Sequence, residues 1–376
     1  MKHNWEYKRL GEICDILDSQ RRPVTKSDRK PGPYPYYGAS GVQDYVSDYI
    51  FDGDYLLVGE DGAKWGANEK SAFSISGKTW VNNHAHILDF KKSPVSQKFV
   101  EYILCGSDLN KIITGTVVPK LTQKNLISVL IPVPPREVQE RIVAELDKIN
   151  ETIEDCRELL RNLDALAQSL FYDFFGDPAI NPKGWRIYKI KDICSVNPTK
   201  REIRIPTSSE ISFLPMEDLP INARYFTPIK VKTLNEVQNS YTYFSGEDVL
   251  FAKVTPCFEN GKAGIPVNLI NNIGFGSSEL FVLRPNFQII NREYIYSFIR
   301  TNHFVSEAIK KLSGTSGLRR VPRTVVENFQ IPVPPLELQE KFAARMEEIE
   351  AQKKTVESTI AELQTLLDSR MDYWFN

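Results

Sequence analysis

The sequence contains no apolar run approaching the ~18 residues that a membrane-spanning helix needs. Cysteine is scarce: Cys14, Cys105, Cys156, Cys194 and Cys257 are scattered and odd in number. That usage gives no disulfide framework and predicts a reducing, cytoplasmic setting. The opening residues, Met-Lys-His-Asn-Trp-Glu, lack the basic, apolar and small-residue order of an export signal. Signatures of catalysis are missing as well. There is no phosphate-binding glycine loop of the Gly-x4-Gly-Lys-Ser/Thr kind, and no methyl-donor glycine loop after an opening strand. Asn181-Pro-Lys and Asn197-Pro-Thr do not match an Asn/Asp-Pro-Pro-aromatic motif, and no metal-nuclease acid cluster stands out. A catalytic site, a resident metal or a cofactor held by this chain is therefore not expected.

What is present is ordinary in bulk and unusual in arrangement. The 376 residues allow two or three domains, and 41% hydrophobic with 25% charged residues fits a globular protein. The net charge of −1 conceals a segregation: residues 1–135 carry +2, 136–176 carry −5, 177–335 carry +6 and 336–376 carry −4. The two long segments are positive and the two short ones negative, a division that suits a polyanion partner for the long segments.

Those four segments form a tandem repeat. Ile131-Pro-Val-Pro-Pro135 recurs as Ile331-Pro-Val-Pro-Pro335, each followed by Glu and Gln at Glu137, Gln139 and Glu337, Gln339. Gly115-Thr116 corresponds to Gly314-Thr315, one residue out of step. Trp5…Ile13-Cys14 resembles Trp185…Ile193-Cys194, and Phe51…Leu57 resembles Phe244…Leu250. Tyr55–Val58, His86–Phe90 and Ile127–Val133 read as strands, with Asp248–Ala252, Leu280–Leu283 and Phe329–Val333 as their counterparts. Val95–Ile113 and Arg292–Leu312 read as helices. The paired prolines predict a stiff exit from each long segment into a helix, because proline is tolerated at a helix start and not in its interior.

The short segments carry seams. Ile142, Leu146, Ile149, Ile153, Cys156, Leu160, Leu163, Ala167, Leu170 and Phe174 alternate by four and three, the spacing of a coiled coil. The second copy reads Phe342, Met346, Ile349, Lys353, Val356, Ile360, Leu363, Leu367, Arg370 and Trp374, broken by Lys353 and Arg370. Domain termini usually lie close together, so the second helix is expected to begin where the first stops and to run antiparallel to it. Ile142 then falls near Trp374, Phe174 near Phe342, Lys353 near Leu163 and Arg370 near Leu146. The two charged chains can lay their stems on the seam and send the charge to water or to a partner. The expected fold is mixed α+β: two tandem domains separated by a long antiparallel two-helix coiled coil, a dumbbell suited to a two-part DNA site.

On these features the chain resembles the specificity subunits of type I restriction-modification systems over its whole length. Tyr37-Gly-Ala-Ser-Gly41, Val58-Gly-Glu-Asp-Gly62 and Val81-Asn-Asn-His-Ala-His86 are similar to one class of that family's target-recognition domains. The resemblance implies double-stranded DNA as ligand, two methylating (modification) subunits as partners and, in the restricting complex, motor-nuclease (restriction) subunits. The methyl donor and ATP would sit on those partners. It implies no individual base contact.

Candidate DNA contacts follow from side-chain chemistry. In Gly314-Thr-Ser-Gly-Leu-Arg-Arg-Val-Pro-Arg323, glycines allow close backbone approach, and Thr315, Arg319, Arg320 and Arg323 offer donors and planar charge; a solvated basic loop is the alternative. Its counterpart carries Lys120. Gly59-Glu-Asp-Gly-Ala-Lys-Trp-Gly66 brings Glu60, Asp61, Lys64 and Trp65, where an acid could accept from cytosine; a plain turn is the alternative. Lys253, Thr255 and Lys262 occupy the equivalent stretch of the second domain. Along the helices, Gln139 and Gln339 with the seam residues are candidate spacer and partner contacts. His84 and His86 with Asn82 and Asn83 suit a polar strand end better than a metal site, since no nearby cysteine or acid completes a ligand set. The competing functional reading is a protein-binding scaffold that uses the helices as a platform and never touches DNA.

Overall fold

The computed structural model describes residues 5–115, 117–314 and 317–375. Its contacts divide the chain into two compact units, Met1–Arg157 with Ser358–Asn376 and Glu158–Glu357. The boundaries drawn at 135 and 335 therefore separate elements that pack together. Each unit consists of one α/β domain and a stretch from each of two 40-residue helices, Arg136–Phe175 and Leu336–Phe375.

In the first unit, one sheet has the order Asp15–Ile16, Ala85–Asp89, Tyr55–Gly59, Ala72–Ile75. A second runs Gly41–Val46, Pro31–Gly38, Lys78–Val81, Phe51–Asp52. The strand Tyr55–Gly59 is buried along nearly its whole length, as a central strand covered on both faces should be. The second unit repeats the plan, with Cys194–Val196, Leu280–Pro285, Val249–Ala252, Ala263–Pro266 and Tyr225–Phe226 in one sheet. Its other sheet is Lys230–Thr233, Glu210–Leu214, Gly274–Gly276, Thr242–Phe244.

Two-stranded ribbons connect domain to helix. Glu6–Arg9 pairs with Leu130–Val133, and Arg186–Lys189 with Gln330–Val333. Pro132 and Pro332 lie inside these strands, opposite Tyr7 and Ile187. The ribbons have no central strand, so a missing N–H breaks no inner ladder. The strand expected over Ile127–Val133 begins only at Leu130, because Gln123–Ile127 forms a short helix capped by the Thr122 hydroxyl. Arg292–Leu312 is likewise two helices, Arg292–Ile299 and Asn302–Ile309. The Thr301 hydroxyl starts the second by accepting from the Phe304 amide at 3.3 Å. Val95–Ile113 resolves into Gln97–Gly106 and a 3-10 turn, Leu109–Ile112.

Within each unit the helices pair antiparallel. In the first, Ile142 and Leu146 share a core with Met371 and Trp374. In the second, Phe174 and Phe342 rings lie 5.8 Å apart. Ile149, Ile153, Leu163, Met346 and Ile349 are buried, while Cys156, Leu160, Val356, Ile360 and Leu363 are only half-buried. Phe171, Phe175 and Met371 are also buried, although they lie off the seam. They form a second apolar stripe that faces the domains: Phe175 meets Tyr294 at 4.8 Å, and Phe375 meets Phe99 at 5.7 Å.

The two seam charges, expected to reach water or a partner, each meet a carboxylate of the opposite helix. The Arg370 guanidinium bonds the carboxylate of Glu145, the residue before its expected neighbour Leu146. Lys353 is 7% exposed. Its ammonium sits 2.8 Å from Asp164 and 3.6 Å from Glu350, and it donates to the Asn222 carbonyl at 3.3 Å. Burial alone would lower the Lys353 pKa, but the Asp164 hydrogen bond and the two carboxylate charges raise it. A lysine can be buried here because its charge has partners.

Gln139 and Gln339 are buried as well, which corrects their assignment as partner contacts. Gln139 accepts from the Ser96 amide at 2.8 Å and donates to the Pro134 carbonyl at 2.9 Å. Gln339 accepts from the Asn291 amide at 2.8 Å and donates to the Pro334 and Ile289 carbonyls at 2.8 and 3.1 Å. Each is a clamp between its proline exit and the domain helix that follows Ser96 or Asn291.

Candidate nucleic-acid interface

The two domains build the same backbone cradle from different side chains. In the first, the Glu60 amide donates to the His84 carbonyl, and the Leu121 amide to the Glu60 carbonyl, both at 2.8 Å. In the second, the Lys253 amide donates to the Glu279 carbonyl, and the Val321 amide to the Lys253 carbonyl, both at 2.9 Å. Each cradle closes on a loop. Thr114 and Lys120 exchange amide–carbonyl bonds, as do Ser313 and Arg320, so the second loop is one residue longer. Gly115 and Gly314 open the loops at φ +93° and +123°. A Cβ at either would meet the carbonyl oxygen of Val118 or Leu318 at 2.4 or 2.9 Å, so both positions require glycine. Isolated bridges Asp61↔Lys120 and Val254↔Arg320 tie the loops to equivalent strand ends.

The chemistry on this shared frame differs between the halves. Lys120 Nζ lies 2.7 Å from Glu60 Oε1, and Arg21 holds the other Glu60 oxygen. In the second domain Arg320 makes a bidentate pair with Glu279 at 2.9–3.1 Å, with Lys253 3.9 Å away. Burial raises the Glu60 pKa, but hydrogen bonds from Lys120 and Arg21 outweigh it and hold the group below its ordinary value. The Arg320 hydrogen bonds do the same for Glu279. Nothing in the sequence flagged Glu279 or Arg21, since each pairing spans some forty residues.

Several candidate contacts have internal roles. Trp65 is buried, packs in the first domain's core and donates its indole N–H to the Gly59 carbonyl at 2.9 Å; it does not face DNA, because an indole with that much apolar surface is stabilised inside. Glu60 is buried under two cations, so it is not a free acceptor for cytosine. Thr255 is buried and accepts from the Arg319 amide at 3.1 Å, pinning the loop. Lys262 donates to the Met216 and Glu217 carbonyls at 2.9 and 3.1 Å. Arg323 pairs with Glu327 at 2.6 Å and donates to the Val196 carbonyl at 3.0 Å, yet its side chain stays about half exposed. Arg319 and Arg320 remain about half exposed at their side chains, and Lys64 is exposed. Thr315 lies outside the described residues.

The three first-domain motifs do converge. Ala39, Ser40, Gly41, Val42, Gln43, Asp61, Gly62 and His84 line one cleft of about 370 Å³. Asp61 pairs with His84 Nδ1 at 2.5 Å, and Asn82 Nδ2 donates to Gln43 Oε1 at 3.2 Å. Its lining mixes polar and apolar groups, and hydrogen bonds hold Gln43, Asp61 and His84 in place, as base-edge reading demands.

His86 corrects the statement that no acid accompanies the histidines. Its Nδ1 lies 2.6 Å from Asp18, its Nε2 lies 2.7 Å from the Leu121 carbonyl, and Glu60 is 3.8 Å away. Asp18, Glu60 and His86 thus place metal-ligand chemistry within 4.8 Å. Arg21 and Lys120 already compensate the carboxylates, and both ring nitrogens are engaged, so the group reads as an internal ion network under the loop. Burial pushes the Asp18 pKa up, but the His86 hydrogen bond and charge, the Ile87 amide and Arg21 together hold it below 3.8. Depressed carboxylates contribute stability above their unfolded values, 3.8 for Asp18 and 4.5 for Glu60, and lose it as pH falls through the folded ones. The melting temperature should therefore fall with acidification below about pH 4.5. An Asp18→Asn variant should show a flatter profile there, and an equal slope in the variant would exclude this origin.

The sequence matches the family described as the type I restriction modification DNA specificity domain over residues 2–163 and 182–365. It is 25% identical over 352 residues to a protein of Haemophilus influenzae named as a type I restriction enzyme specificity subunit, spanning 92% of this chain and 87% of that one. It is 37% identical over 168 residues to the EcoAI specificity subunit of Escherichia coli, spanning 45% of this chain but only 28% of that relative. The crystal structure of a type I restriction-modification S subunit from M. genitalium shares the fold, with a TM-score of 0.56 at 12% identity, covering 98% of this chain and 96% of that one. With matches across both halves of the repeat, the chain belongs to the type I restriction-modification DNA specificity family.

Proposed function

We propose that this chain reads a two-part site in duplex DNA, one half per domain, and performs no chemistry on it. The paired helices set the spacing of the half-sites and seat two methylating subunits; restriction subunits join the same assembly, and the methyl donor and ATP reside on these partners. The observation that carries the reading is the duplicated cradle. One backbone frame carries Asp61, His84 and Lys120 in one half, with Glu60 beneath them as an internal counter-charge, and Lys253, Glu279 and Arg320 in the other. A frame held constant while its side chains vary is what two different half-sites require.

The test is to select and sequence duplexes bound by the reassembled complex, which should give two short fixed blocks around a spacer of constant length. Absence of any selected sequence would favour the protein-binding scaffold instead. Methyl transfer by the purified chain, given donor and DNA, would show that it has a catalytic site.

Arg320 tests the frame directly. Glu279 fixes its guanidinium plane, which prepares it for a bidentate base edge. Arg320→Ala should weaken binding by about 1–3 kcal/mol and relax one position of the second block. A uniform loss with a salt slope smaller by about one would make it a phosphate contact; no change would remove it from the interface.

A further inference from the structure

Both cradle loops raise aliphatic side chains into solvent at the same place. Val117 and Val118 are 91% and 63% exposed, and Leu318 is 57% exposed. Each lies between the positive-φ glycine that opens its loop and the cation that closes it, Lys120 or Arg320. Isolated aliphatics on a surface need no explanation. These recur in both halves of the repeat, beside cations, on loops whose backbone is held at both ends. That arrangement fits a partner presenting small apolar groups within an anionic surface.

Sugar C–H groups carry no sequence information, and the bases of a duplex offer two such features. Base faces become available only after unstacking, which costs more than burying one short side chain returns. Valine and leucine also lack the flat surface that stacking uses. The C5-methyl group of thymine stands in the major groove of undistorted DNA and is recognised by small apolar contacts. A loop with a fixed base and a branched aliphatic tip suits the methyl.

We propose that Val117 and Val118 in the first domain and Leu318 in the second are thymine-methyl contacts, each selecting one A·T pair in its half-site. This rests on the DNA-reading function proposed above. Lys120, Arg319 and Arg320 would meet polar groups alongside, so each loop reads a methyl next to a charged or hydrogen-bonded contact.

The test uses the reassembled full-length complex and the selected duplex, with each thymine replaced in turn by deoxyuridine. That exchange removes the methyl and keeps base pairing. One replacement in each half-site should weaken binding roughly fourfold, the loss of about 0.8 kcal/mol for one buried carbon. The Val117→Ser/Val118→Ser variant should lose sensitivity at the first half-site only, and Leu318→Ser at the second only. Both should keep the parental salt slope, since no phosphate contact is removed. Equal binding to every deoxyuridine duplex, half-sites without thymine, or unchanged sensitivity in the variants would overturn the proposal while leaving DNA reading intact. Increased fluorescence of 2-aminopurine beside the loop, without methyl dependence, would overturn it in favour of unstacking. Failure of the parental complex to select any sequence would overturn the DNA reading itself.

Discussion

Replacing residues 10–129 with the corresponding module of another specificity subunit should change one block of the bound sequence completely and leave the other block and the spacer intact. The structure sets the junctions. The Leu10 amide donates to the Val129 carbonyl at 2.9 Å, and Ile190 to Phe329 at 3.0 Å, so each module closes on itself just inside its ribbon. Cutting there keeps Glu6–Arg9 paired with Leu130–Val133 and leaves both helices untouched. The incoming module must still offer an apolar surface to Ile142, Leu146, Met371 and Trp374, and an amide to Gln139 where Ser96 now supplies one. Sequencing the sites methylated by the reassembled complex checks the outcome. If both blocks changed together, the two domains would not read independently.

Gln339→Leu should lower the stability of the second unit by about 3 kcal/mol. The substitution keeps the volume close to constant and leaves the Asn291 amide and the Pro334 and Ile289 carbonyls without their side-chain partner in a buried place. Each orphaned buried group costs roughly 1–3 kcal/mol, partly recovered by relaxation. For a unit of this size that corresponds to a melting temperature about 6–12 °C lower. Glu337→Ala, two residues away on an exposed face, should leave the melting temperature unchanged. Thermal unfolding followed by circular dichroism distinguishes the two, and a loss below 1 kcal/mol for Gln339→Leu would mean that the clamp is dispensable.

Both predictions depend on residues whose meaning was only partly visible in the chain. The Glu-x-Gln step after each proline pair was legible as a repeat, yet an exposed helix glutamine and a buried clamp look alike until Ser96 or Asn291 is brought alongside by the fold. Trp65 shows the same limit. Its glycine-flanked setting reads as a loop, and only packing against the first domain's core reveals an indole turned inward. Arg370 and Lys353 were recognisable as breaks in a seam, but their partners Glu145 and Asp164 come from the other helix.

Period and duplication are local properties, so the sequence by itself determined the repeat, the two seams, the antiparallel order of the helices and the absence of known catalytic motifs. The alternation of four and three residues follows from helix geometry, and the prolines from a backbone that lacks an N–H. What only the tertiary structure decided is which charges meet. Arg320 with Glu279, Lys120 with Glu60, and Asp18 with His86 are pairs between distant stretches. A carboxylate's role depends on whether burial and a fixed cation have already claimed it, and that is set by the neighbours the folded chain brings within a few ångströms.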